Sequence, residues 1–392
     1  MKISGIICEY NPMHSGHVYH IEETRKNGAT HIVCVMSSNF VQRGECAFID
    51  KHLRAEIAVR NGADLVIELP TPWSCSSAHD FASAGVFLLN SIGAEELSFG
   101  CECGDVSALK ECSNILFSEE ISTKITEKIK SGLSYPSALS DVVSSIYGED
   151  ISEIISSPNN TLAVEYINAI IALNCKMEPF AVLRRGNSHN DNSLEGENIS
   201  AGAIRKSNDI NAFRQYMSSF AFEKISSQVN EGLIGEMNSG ERAVLSHLRR
   251  LSKEKMALYC DKQNGISDRI FSASKNATNL DELYNEIKTK NITMAAVRRN
   301  VLRIFLGIKP EISRENPPYI KILAASSKGL EILKQYRGEL PIITKFSEVS
   351  KQSDFCKEIY ALECLCSDLY GLFSKKIRAC NMDKTSSVKI IK

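Results

Sequence analysis

The stretch Lys2-Ile3-Ser4-Gly5-Ile6-Ile7-Cys8-Glu9-Tyr10-Asn11-Pro12-Met13-His14-Ser15-Gly16-His17-Val18-Tyr19-His20 decides the fold. Its first third is a short apolar, isoleucine-rich run that reads as a buried β-strand. Asn11-Pro12 breaks the run, and a helical pattern spans residues 15–28 with Gly28 as its stop. The same alternation continues outward. His31–Met36 reads as a strand, 50–62 as a helix, Asp64–Leu69 as a strand halted by Pro70, 78–91 as a helix, and Glu96–Phe99 as a strand ending at Gly100. Short, fully apolar strands separated by helices imply a parallel sheet covered on both faces, which binds ligands beyond the carboxyl ends of its strands. Residues 105–175 read as mostly helical, Pro179–Arg185 as one more strand, 186–198 as a polar Gly/Asn-rich loop, and 199–206 as a helix capped by Ser200. Beyond about residue 225 helical periods dominate (241–262, 279–289, 293–306, 320–336 and 354–374). The expected architecture is therefore α/β: a Rossmann-like parallel-sheet domain over residues 1–225, followed by an α-helical domain over 226–392.

The chain has 392 residues, 43% hydrophobic and 24% charged, which excludes a disordered or collagen-like protein and suits two domains. No apolar run is long enough to span a membrane, and the N-terminus lacks a signal peptide's cleavage pattern. Forty-six basic residues balance 47 acidic ones, for a net charge of −1, so a nucleic-acid partner would need a local basic patch. Thirteen cysteines with scattered spacing point to a reducing, cytoplasmic setting rather than a disulfide framework, and the pairs Cys101/Cys103 and Cys364/Cys366 lack further ligands at zinc-site spacing.

The chemistry centres on His14-Ser15-Gly16-His17, an HxGH motif at the first strand-to-helix junction. A helix N-terminus offers free N–H groups and a positive dipole end to phosphate. Gly16 permits close approach of a nucleotide. His14 and His17 share one side of the first turn and can stabilise charge developing on a departing pyrophosphate. The competing explanation is that the two imidazoles only cap the helix. Ser200, Arg205 and Lys206 suit a second phosphate-binding turn facing the first. Arg43 and Lys51 are available to hold a carboxylate, a phosphate or an RNA backbone. Asp64 and Glu68 flank the third strand, but no magnesium ligand can be named.

In order, GIICEYNPMHSGHVYHI (5–21), SSNFVQRGECAFIDKHLRAEIAVRNGADLVIELP (37–70), LSFG (97–100), SPNNTLAVEYI (157–167) and ISAGAIRKS (199–207) resemble the bacterial tRNA(Met) cytidine acetate ligase family. The resemblance implies an enzyme that uses ATP to activate acetate as acetyl-adenylate. It would then transfer acetyl to N4 of the wobble cytidine (position 34) of elongator tRNA(Met), giving N4-acetylcytidine, AMP and diphosphate. It also implies an ATP site over Ile7 to His20, Gly100, Asn159 (or its neighbour Asn160) and Arg184 with Arg185 beside it, and catalytic roles for His14, His17, Ser200 and Arg205. Mg2+ would accompany ATP. Departures from the family pattern fall at Met13, at Leu162-Ala163 and in the loop Gly186–Asp191 around His189. For tRNA, the expectation is a basic face comprising Lys288, Lys290, Arg298, Arg299 and Arg303, with Tyr10, His20 or Phe40 stacking on an unstacked base. Two alternatives remain: a small-molecule adenylyltransferase acting on a phosphorylated cofactor precursor, and a non-catalytic binding protein.

Overall fold

The computed structural model describes residues 1–184, 200–207, 209–261 and 265–392. The N-terminal alternation folds as β1 (Ile3–Cys8), α1 (Ser15–Lys26), β2 (His31–Ser37), α2 (Lys51–Arg60), β3 (Leu65–Leu69), α3 (Ala78–Ser91) and β4 (Glu96–Cys101). Four helices between Val106 and Ser156 lead to α4 (Pro158–Ala172), which returns the chain to β5 (Glu178–Leu183). These five strands lie in the order β3-β2-β1-β4-β5, all parallel. The order reverses at β1, so a crevice opens beyond the carboxyl ends of β1 and β4.

Strand alternation builds the two layers. Val33 and Val35 face Phe81, Val86 and Leu89 of α3, whereas Ile32, Cys34 and Met36 face Ile21 of α1 and Ala55, Ile57 and Ala58 of α2. All seven residues of β2 are buried, which is why its sequence carries no polar alternation.

The later half departs from expectation. After α5 (Ala201–Lys206), a helical body has its own core around Val244, Leu248, Ile270, Leu283 and Phe305, and includes α6 (Met294–Leu306). The chain then re-enters the sheet. Residues 320–336, expected to be one helix, form β6 (Ile320–Ser326) and a helix over Ser327–Gln335. Beyond α7 (Asp354–Tyr370), β7 (Lys389–Ile391) joins too. The complete sheet has eight strands, ordered β7-β6-β3-β2-β1-β4-β5 with Ile342–Ile343 beside β6, and β6 runs antiparallel to β3. Residues 226–392 are thus not wholly α-helical. A short, nearly all-apolar run carries no period that separates a buried strand from a buried helix, and Ile320–Ser326 is such a run. Among the described residues, no helix is long and apolar enough to cross a membrane.

A buried charge cluster fastens this return. Lys51 Nζ lies 2.7 Å from Asp383 and 2.9 Å from Glu363 and also contacts Glu68, while Lys321 Nζ lies 2.7 Å from Asp383 and 3.2 Å from Glu68. Burial alone would lower the Lys51 pKa, but the charges of Asp383, Glu363 and Glu68 hold it well above the ordinary lysine range. Lys51, expected to be free for a carboxylate, phosphate or RNA, is instead a fully buried structural cation. Glu68 is consumed by the same cluster, and Asp64 pairs with Arg25 and accepts the Ile32 N–H at 2.8 Å.

The helical body meets the α/β layer at a hairpin, Phe40–Val41 with Glu45–Cys46. Gly44 sits there at φ 74°, and a Cβ on it would come within 2.5 Å of the Arg299 backbone nitrogen. Replacing Gly44 with alanine is expected to cost at least about 1–2 kcal/mol from the left-handed backbone alone, with the clash added. Urea unfolding measures it, and an unchanged midpoint would contradict the tight contact.

Candidate active site

The first turn of α1 organises the crevice. His14 is the N-cap, and its Nδ1 accepts the Gly16 N–H at 3.1 Å, while Nδ1 of His17 accepts the His14 N–H at 3.2 Å. This reciprocal capping satisfies two donors that a helix start leaves open. It also fixes the tautomer: with each Nδ1 accepting, a neutral ring carries its hydrogen on Nε2. Burial, then the charge of Arg184, pushes His14 down to about 3 and His20 down to about 4. Burial, then His14, Arg184 and His20, hold His17 well below the usual range. Capping and phosphate binding are therefore compatible here, because the cap uses one ring nitrogen and leaves the other as a donor. Gly16 lets the His14 ring fold over the turn, since a Cβ there would lie 3.0 Å from the ring.

A cavity of about 830 Å³ opens above this turn. On the β4–β5 side it is lined by Phe99, Gly100, Tyr166, Val182, Asn159 and Arg184, and from α1 by His14, Gly16, His17, Tyr19 and His20. The Arg184 guanidinium donates to Asn159 Oδ1 at 3.1 Å, and Asn159 in turn donates to Glu102. The neighbouring Asn160 is buried and accepts the backbone N–H groups of Glu102 and Cys103, so Asn159 is the asparagine that faces the cavity. Both lie in the first turn of α4 rather than in a free turn.

Opposite, the lining includes Glu9, Asn11, Gln42, Arg43, Glu45, Ser200, Arg205 and Arg298. Ser200 caps α5, accepting the Ala203 N–H at 3.1 Å. Arg205 donates to the Asn11 carbonyl at 2.8 Å and lies 3.6 Å from Glu45, which also pairs with Arg298. The turn opening at Ser200, the hairpin and the helical body thus converge on the loop after β1. Ile7, Cys8 and Tyr10 also line the cavity, whereas Pro12, Met13, Ser15 and Val18 do not; Met13 and Val18 pack into the core beneath the sheet. Arg185 and the loop around His189 lie outside the described residues.

Two expectations for RNA need correction. Arg298 is held by Glu45, Arg299 donates to the Gln42 carbonyl at 3.1 Å, and Arg303 is buried against Asp261. These arginines join helix α6 to its neighbours; Lys288 and Lys290 alone of that face are exposed. Phe40 is fully buried against Tyr370 and Phe373 and is not placed to stack on a base, while Tyr10 borders the cavity but is 1% exposed, its ring edge-on to His17 and its hydroxyl against Cys34. His20 stays in the cavity, bonded to Ser98 Oγ at 2.9 Å. The roles of Glu45 and Arg298 escaped the sequence because 253 residues separate them.

A parallel sheet that reverses order at β1, with an HxGH turn at its switch point, defines a nucleotidyltransferase-type α/β protein. The family model described as "HIGH Nucleotidyl Transferase" matches residues 1–385. A tRNA(Met) cytidine acetate ligase of Acetivibrio thermocellus is 35% identical, with 96% of each chain covered, and one of Caldanaerobacter subterraneus subsp. tengcongensis is 34% identical, with 98% of each covered. The chain belongs to the HIGH nucleotidyl transferase family and, within it, to the tRNA(Met) cytidine acetate ligases. Crystal structures of Thermotoga maritima TmcAL, 28% identical and covered in full, superpose with TM-scores of 0.93 (apo) and 0.90 (bound with alpha-thio ATP).

Replacing Arg184 with methionine is expected to raise the His14 pKa from about 3, because its second cause of depression is removed while burial remains. Histidine NMR titration reads this directly. The low histidine values also set a stability trend. The unfolded chain binds protons near pH ~6.5 and the folded one only near 3 to 4, so stability falls as pH drops through that window. The substitution should soften the fall.

Proposed function

We propose that the protein is an ATP-dependent ligase that activates acetate as acetyl-adenylate. It then transfers the acetyl group to N4 of the wobble cytidine, position 34, of elongator tRNA(Met), giving N4-acetylcytidine, AMP and diphosphate. The observation that carries this is one continuous cavity joining two chemistries. One part offers neutral histidine donors at a helix N-terminus with Arg184; the other is lined by Glu9, Glu45, Arg205 and Arg298.

In the first step an acetate oxygen attacks the α-phosphorus and the bond to pyrophosphate breaks. The Nε2–H groups of His14 and His17 and the α1 N-terminus stabilise the charge that builds on the leaving group. Phe99, Gly100 and Tyr166 receive adenosine, Asn159 its ribose or base edge, and Arg184 a phosphate. Ser200 and Arg205 close on the triphosphate from the other side. The nucleotide-bound Thermotoga maritima neighbour supports the ATP assignment. Among the described residues no group of three His, Cys, Asp or Glu side chains is arranged to hold a metal ion. Magnesium would travel on the phosphates and water.

Residues 1–225 would carry the activation chemistry. Residues 226–392 would contribute to tRNA binding through exposed lysines such as Lys288 and Lys290, in the cytoplasm where charged tRNA is used. Full-length relatives named for tRNA acetylation favour this reading over a small-molecule adenylyltransferase.

The test is transfer of labelled acetate. Purified protein, ATP, magnesium and bacterial tRNA lacking the modification are incubated, and the tRNA is digested to nucleosides for mass spectrometry. ATP-dependent N4-acetylcytidine is expected. Acetate-dependent pyrophosphate exchange without any acetylated nucleoside would discard the acceptor, and loss of both would favour the small-molecule enzyme.

A further inference from the structure

The transfer step creates a proton that must go somewhere. When the cytosine N4 amine attacks the acetyl carbonyl, the N–C bond forms, the bond from that carbon to the AMP phosphate oxygen breaks with its electron pair, and the nitrogen must shed one hydrogen. We propose that the Glu9 carboxylate takes it. The inference rests on the acetyl-transfer function proposed above and adds a residue to it.

Position comes first. Glu9 follows the last residue of β1 and precedes His14 by five positions, so it stands at the switch point between the histidine-lined part of the cavity and the part lined by Glu45, Arg205 and Arg298. The three carboxylates lining the cavity among the described residues differ in their commitments. Glu45 is held by Arg298 and Arg205, and Glu236 by Lys375 at 3.6 Å. Glu9 forms no ion pair with any described residue; one oxygen accepts the Gln42 N–H at 3.1 Å. That bond orients the group and leaves its second oxygen for a substrate amine.

The histidines are poor candidates for the same task. Each Nδ1 of His14 and His17 is occupied by a backbone N–H, and burial keeps all three rings weakly basic. Glu9 is tuned the other way. Burial raises its pKa, and the charges of Arg205 (α5), Arg43 (the hairpin) and Arg54 (α2), which face it, only partly offset the rise. A carboxylate raised above its ordinary range is a better base than an exposed one. Its acceptor character also suits an exocyclic amine and disfavours the carbonyl that uracil presents at the same place.

The experiment compares two half-reactions. Acetate-dependent ATP–pyrophosphate exchange reports activation, and single-turnover transfer from the preformed enzyme-bound acetyl-adenylate to tRNA reports acylation. Glu9→Gln keeps a carbonyl to accept the Gln42 N–H. Its transfer rate should fall about 100-fold or more beyond any loss in exchange, in line with removal of a general base. The wild-type transfer rate should decline at low pH as Glu9 protonates, and this limb should vanish in Glu9→Gln but survive in Glu9→Asp. Parallel losses in the two half-reactions, or a persisting acidic limb in Glu9→Gln, would overturn the proposal. Failure of the wild-type protein to acetylate tRNA while exchange continues would instead overturn the transfer function on which it stands.

Discussion

Replacing His17 with alanine is expected to slow acetate-dependent ATP–pyrophosphate exchange about 100- to 1,000-fold, the usual effect of removing one preorganised donor from developing negative charge. A second effect must be separated from the first. His17 Nδ1 also accepts the His14 N–H, so the variant loses half of a reciprocal cap and about 1 kcal/mol of stability. His17→Gln distinguishes them. Glutamine at the third helical position can take the same backbone hydrogen and recover the stability, yet its amide cannot place a donor where the imidazole Nε2–H stands. The expected pattern is an alanine variant that is slow and slightly weakened and a glutamine variant that is slow but stable. Exchange within about threefold of wild type in both would remove His17 from the activation step.

The largest stability effect should come from Lys51→Met. The side chain has no exposed surface, and its loss leaves Glu68, Glu363 and Asp383 facing a single cation, Lys321. Breaking a buried ion cluster from one side costs about 3–5 kcal/mol, a large share of the ~5–15 kcal/mol that holds a typical protein folded. Urea denaturation should show the drop, with Lys26→Met on the exposed face of α1 as the near-neutral control. Equal midpoints for the two variants would mean that the cluster is not closed as described.

Much of this was legible in the residues themselves. β1 through β4 announced themselves because each is a short apolar run bounded by Gly, Pro or Asn, and the HxGH turn stood where such a sheet binds ligands. Ile320–Ser326 did not, because a buried strand beside β3 leaves no polar alternation to read and its one charge, Lys321, is neutralised by residues far away in sequence. The arginines of α6 misled for a related reason. Spacing along a helix puts Arg299 and Arg303 on one face, but nothing local says whether that face meets water, RNA or another part of the chain. Arg298 meets Glu45 across 253 residues. Long-range pairing is invisible to any local pattern, and the acceptor side of the cavity is built from it. Lys51, at the start of α2 just beyond the hairpin, looked like a ligand group on the open side of the sheet until its three buried carboxylate partners came into view.

Those partners set a clock on synthesis. Lys51 leaves the ribosome 312 residues before Glu363 and 332 before Asp383. At roughly 5–20 residues per second, the lysine and Glu68 wait on the order of 15–65 s for their remaining partners. Once β5 is made, the nucleotide-binding half has its strands β1 to β5 but still lacks Lys321, Glu363 and Asp383 beside Lys51 and Glu68, so the sheet edge at β3 stays open until late in translation. The active-site scaffold is encoded first and locked last, and the newborn chain passes through a stage in which its ATP site is drafted while the protein around it is still open to proteases and chaperones.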